Sequence, residues 1–124
     1  MGKKMNETQK YSATEVSSMD QVELESRAFI RAASSLNMIK EHWDTEQGKL
    51  EEALDKNRKL WTIIASAMKE DDCPQPVEVR NNILNLALFV FRRTMDVLSD
   101  PKPESLNILI DINMNIAKGL AGHE

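Results

Sequence analysis

Few residues in this chain are of types that do chemistry, and their spacing argues against most reactions. His42 and His123 lie in different segments and Cys73 stands alone, so no converging ligand set for a metal is visible. Glu70-Asp71-Asp72 is acidic but lacks the spacing and glycine of a calcium loop, and reads as a solvated turn. Cys73 would be a nucleophile only beside a base, and the neighbouring Asp71 and Asp72 disfavour its thiolate. Glu51 and Glu52 face solvent on a helical wheel. Gly2, Gly48, Gly119 and Gly122 form no glycine-rich cradle ahead of a helix, so no phosphate loop is present. The expectation is a protein that is not an enzyme and carries no metal or cofactor.

The elements must then carry the function as surfaces. The chain has 124 residues, 41% hydrophobic and 29% charged, which fits one domain with one core. Sixteen Lys and Arg stand against 20 Asp and Glu, for a net charge of −4. That balance opposes sequence-independent nucleic-acid binding, which depends on neutralising phosphates. Lys56, Arg58, Lys59, Arg92 and Arg93 read as solvated helix edges. One cysteine allows no intrachain disulfide and fits a reducing compartment. No apolar run follows Lys3 and Lys4, so no signal peptide is expected. The apolar run from Ile83 to Phe91 is far shorter than the roughly 18 to 20 residues of a membrane span. A cytoplasmic location is expected.

The spacing predicts an all-α, single-domain bundle of about four helices behind a flexible polar N-terminal tail. Residues 1–17 form that tail, with Tyr11 and Val16 able to dock loosely, and residues 18–124 form the helical domain. Ser18 and Gln21 fit a capping box for a first helix from Met19 to His42. Val22, Phe29, Ala32, Ala33, Leu36 and Ile39 make its stripe, and Trp43 closes its end. Asp44 or Thr45 can cap a second helix reaching Lys69, which buries Leu50, Ala53, Leu54, Leu60, Trp61, Ile64, Ala65 and Met68. Pro74 and Pro76 break the chain, and Pro76 suits the start of a third helix that ends near Leu98. SDPKP, from Ser99 to Pro103, is the next break. A fourth helix runs to Lys118, with Gly119 or Gly122 at its end and Leu106, Leu109, Ile110, Ile116, Ala117 and Leu120 on its stripe.

The third helix is the most apolar, and the rest is expected to pack around it. Ile83, Leu84, Leu86, Ala87, Val90, Phe91 and Thr94 form one broad face, of which Ile83, Ala87, Val90 and Phe91 are core candidates. Leu88 and Phe89 fall on the other side. They need cover from the first helix, from a second copy of the chain, or from a client segment. Met38, Met68, Met95 and Met114 are spread over the four helices as core fillers or as an adaptable surface, and Met95 joins Leu88 and Phe89 as a partner-binding candidate.

Three polar residues fall among apolar ones. Asn57 and Asn113 lie mid-stripe on helices two and four, at levels about 20 Å and 17 Å from the turn between helices two and three. Either they share a buried polar layer that fixes register, or each bonds a backbone carbonyl or a water separately. Arg80, in the first turn of the third helix, is placed to brace the ends of helices two and four.

Asn57-Arg58-Lys59-Leu60-Trp61, then Pro76 with Val79-Arg80, Asn85-Leu86-Ala87-Leu88-Phe89-Val90, Ile112-Asn113 and Gly119-Leu120 occur in that order. The ordered set resembles the FlaF family of flagellar biosynthesis regulators from alphaproteobacteria, over about Val22 to Leu120. Gln75 stands where the family usually has leucine, Val79 replaces leucine and Asn85 replaces serine. SDPKPES lacks a glycine often found there, and the N-terminal stretch is longer than usual. The resemblance implies a cytoplasmic regulator that promotes flagellin synthesis and secretion, with flagellin as client and FlbT as companion. A chaperone-like helical module would do this by holding an amphipathic flagellin helix. The alternatives are an RNA-associated regulator of flagellin translation acting with FlbT, and a structural dimeric adaptor.

Overall fold

The three- and four-residue recurrence of apolar positions is the spacing of helices that pack at shallow angles. The computed structural model describes the backbone of residues 7–121 and the side chains of residues 24–120. Helix α1 spans Glu7–Glu41, α2 Trp43–Glu46, α3 Leu50–Met68, α4 Val77–Ser99 and α5 Asn107–Ala121. Short 3-10 turns occupy Gln47–Lys49 and Pro103–Leu106. No strand occurs among the described residues, and the fold is an all-α bundle.

Each long helix turns one seam inward. Ser26, Phe29, Ala33, Leu36 and Ile39 supply it on α1, and Leu50, Leu54, Asn57, Trp61, Ile64 and Met68 on α3. Ala87, Val90, Thr94 and Val97 supply it on α4, and Leu109, Asn113 and Ala117 on α5. Trp61 is fully buried and meets Phe29 edge-on, with ring centroids 5.3 Å apart and planes at 68°. An aromatic pair in this geometry adds about 0.5–1.5 kcal/mol to the burial of its area.

The helix from Val77 is not the centre that its composition predicts. Helix α1 lies along α5 and against α3, whereas α4 rests chiefly on α3 at the edge of the bundle. With one principal neighbour, α4 buries a narrow seam and leaves both flanks partly exposed. Ile83 and Phe91, expected in the core, are therefore half-buried, as are Leu60 and Ile116 at the margins of their helices. Leu54, Trp61, Ile64, Ala87, Val90 and Leu109 are buried.

Helix ends differ more from expectation than helix faces. Residues 7–17, expected as tail, belong to α1, which runs through the proposed cap at Ser18. Tyr11, Val16 and Val22 lie outside the described side chains, and residues 1–6, Gly122 and His123 lie outside the described residues. Neither Asp44 nor Thr45 caps α3. The chain turns from α1 through α2 and the Gln47–Lys49 turn, and the N–H groups of Thr45 and Glu46 both bond His42 O. Near-helical backbone satisfies these donors, so no side-chain cap is required. Gly119 lies inside α5, which continues to Ala121.

Candidate partner-binding surface

A buried indole N–H can only donate, and that one fact orients the polar centre of the bundle. Trp61 Nε1 donates to Asn113 Oδ1 at 2.9 Å. The other end of the same amide, Asn113 Nδ2, must then donate, and it does so to Asn57 Oδ1 at 2.6 Å. The two asparagines are fully buried and joined directly, and Asn57 Nδ2 has no hydrogen-bond partner among the described residues. Ser26 Oγ donates to Ala117 O at 3.0 Å across α1 and α5, and Thr94 Oγ1 donates to Val90 O at 2.7 Å within α4. Every long helix thus carries one polar residue in its seam. Ser26 was not singled out by sequence, although its place three residues before Phe29 was the available signal.

Arg80 acts at one helix end rather than two. Its Nε donates to Met68 O at 2.9 Å and its Nη2 to Glu70 O at 3.1 Å. Both carbonyls belong to the end of α3 and its turn, so the brace to α5 expected from the sequence is not made. The α4 start sits directly beside the α3 end, and the guanidinium bonds there.

The groups that could do chemistry stay apart. His42 follows α1 and is exposed, whereas Cys73 is half-buried in the α3–α4 turn beside exposed Glu70, Asp71 and Asp72. No three His, Cys, Asp or Glu side chains converge among the described residues.

What the fold presents instead is apolar surface on α4. Leu88 is 52% exposed, Met95 61% and Phe89 37%. Leu88 and Met95, seven residues apart, share a line along the helix, whereas Phe89 lies about 100° round from Leu88. The three partner-binding candidates therefore divide between two flanks. Phe89 carries the Arg93 guanidinium over its ring, 5.6 Å from the centroid, which partly occupies that flank.

Leu88 and Met95 belong to a longer line: Leu84, Leu88, Phe91, Met95 and Leu98, all exposed or half-buried. Their steps of four, three, four and three residues are those of a coiled-coil seam. Helix α4 thus has one seam filled by the core and a second line that is open at Leu88, Met95 and Leu98, while its Leu84 and Phe91 pack against the core. Leu84, Phe91 and Leu98 were legible as part of it from their spacing, but the broad apolar face absorbed them. Where the open seam meets α3 a groove of about 470 Å³ forms, with Met95 and Leu98 on one wall and Glu51, Glu52, Asp55 and Arg58 on the other. Arg58 at 2.8 Å and Lys59 at 3.2 Å hold the Asp55 carboxyl below its ordinary range. Of the other methionines named above, Met68 is buried, while Met38 and Met114 flank a second, more open groove between α1 and α5.

Among the described residues, fold and surface define a small all-α protein whose accessible features are helix faces. The chain belongs to the flagellar protein FlaF family, whose model matches residues 7–120, nearly its whole length. It is a flagellar protein, as the ordered motifs imply. No curated relative and no solved structure matches it. No helix among the described residues is long and apolar enough to cross a membrane.

Proposed function

We propose that this chain promotes flagellin synthesis and secretion by binding flagellin in the cytoplasm as a chaperone-like helical module, without enzymatic chemistry. The observation that carries the proposal is the open seam of α4, centred on Leu88 and Met95, in a member of a flagellar family. A regular helix that exposes leucine and methionine at heptad spacing is the half-interface of a helix-in-groove complex. Methionine suits such a site because its flexible thioether adapts to uneven partners. A flagellin segment held there would keep its own apolar face from premature assembly, and FlbT would act alongside at the level of translation.

The test is co-purification of flagellin with the full chain. Leu88→Asp and Met95→Asp each place a charge in the seam, so flagellin recovery falls at least about tenfold. Phe89→Asp alters the other flank and leaves recovery close to that of the unaltered chain. Undiminished recovery with both seam variants, each shown folded by circular dichroism, would exclude the open seam of α4 as the client site.

A further inference from the structure

We propose that a second copy of this chain covers the open line of α4 when no client is bound, the two α4 helices lying antiparallel with Glu78 of each beside Arg92 of the other. The inference rests on the reading above only for the competition with a client, not for the pairing.

The line runs the whole length of α4. Val77 and Asn81, both exposed, continue it toward the helix start, and the steps from Val77 to Leu98 alternate four and three without a break. Asn81 is its one polar member. Leu84 and Phe91 are half-buried against the core, whereas Val77, Leu88, Met95 and Leu98 are exposed.

The two flanks of the line differ, and the difference sets the direction of pairing. One flank is taken: Ala87 and Thr94 are buried, and Arg80 bonds the end of α3. The other flank, Glu78, Asn85, Arg92 and Ser99, is exposed throughout. In a parallel pair of heptad helices each flank meets the opposite flank of its neighbour, so exposed residues would meet occupied ones. In an antiparallel pair like flanks meet. Only that arrangement lays exposed flank on exposed flank, and its two-fold axis makes every contact occur twice.

Charge then sets the register. With Leu84 opposite Leu88 of the second copy, Met95 lies opposite Val77 of that copy. Glu78 then comes within about 3 Å of the level of Arg92 of the second copy. Asn85 lies at the two-fold axis beside its own counterpart, where two amides can bond each other. Glu78 and Arg92 make no ion pair among the described residues, so both charges are available. A slip of one heptad in either direction moves them apart by about a further 10 Å and forfeits both pairs. The α4 line therefore complements itself in apolar steps and in charge. So narrow a face makes a weak, reversible dimer, which a client on the same line must part.

The experiment is sedimentation of the full chain at concentrations up to about 1 mM. The expected result is passage from monomer to dimer, abolished by Leu88→Asp, which places a charge in the central layer. Glu78→Arg and Arg92→Glu each set like charges together twice and weaken the dimer at least about fivefold. Mixed in equal amounts, these two variants associate about as well as the unaltered chain, because each offers the charge that the other lacks. Loss of fold could not be rescued by mixing. An unaltered chain that stays monomeric, a dimer that Leu88→Asp leaves intact, or variants that fail to recover on mixing would overturn the inference.

Flagellin added to the dimer separates this inference from the client reading. Conversion of dimer to a complex with a single copy supports both. If the dimer forms as described and flagellin leaves it intact, the pairing stands and the client site lies elsewhere. If flagellin binds through Leu88 and Met95 and the chain never dimerises, the client reading stands and the pairing falls.

Discussion

Trp61, Asn113 and Asn57 behave as one unit because each polar atom leaves its neighbour a single role. Asn57→Leu strands Asn113 Nδ2, and loss of a buried partner costs about 1–3 kcal/mol. Asn113→Leu strands the Trp61 N–H and removes the partner of Asn57 Oδ1 at the same time. The two costs will not add: in denaturant titrations of both single variants and the double, a coupling of about 0.5–3 kcal/mol is expected. Simple additivity would mean that the amides do not act as a chain. With Trp61→Phe added, no stranded donor remains, so the triple variant regains part of the lost stability and loses a polar constraint on register.

At the scale of elements, α4 is held by its inner seam and by Arg80, and its open seam bears little on folding. Val90→Ala should cost about 2 kcal/mol, whereas Leu88→Asp and Met95→Asp should change stability by about 0.5 kcal/mol or less. Thermal melts of the three variants test this contrast, and equal losses would place the open seam in the core. Arg80→Ala removes both bonds to the α3 end. Hydrogen exchange should then quicken around Lys69 to Pro76 while the α1–α5 pair stays protected. Much of this layout was legible in the residues. The stripes of Phe29-Leu36 and Leu54-Trp61 follow from helical periodicity, and the level of Asn57 against Asn113 follows from helical rise. The place of α4 was not, because eight apolar residues among the nine from Ile83 to Phe91 look alike at the centre of a bundle and at its edge. Only the contacts with α3 decide which. The α1–α3 turn was misread for a related reason: near-helical backbone closed it without the side-chain cap that Asp44 and Thr45 advertise.

For the whole molecule, the net charge of −4 becomes informative once it has a location. Little of it lies at the groove, where Lys56 pairs with Glu52 and where Arg58 and Lys59 keep Asp55 ionised below the ordinary carboxylate range. A group depressed in this way contributes its ion pairs above the unfolded carboxylate pKa and loses them only as pH falls through the lower folded value. In the proposed function, the open seam of α4 is the face through which this FlaF-family protein holds flagellin. Co-purification of flagellin with the full chain and with Leu88→Asp/Met95→Asp tests that most directly. Flagellin recovered with the unaltered chain and lost with the folded double variant is the predicted result. Equal recovery with both would contradict it.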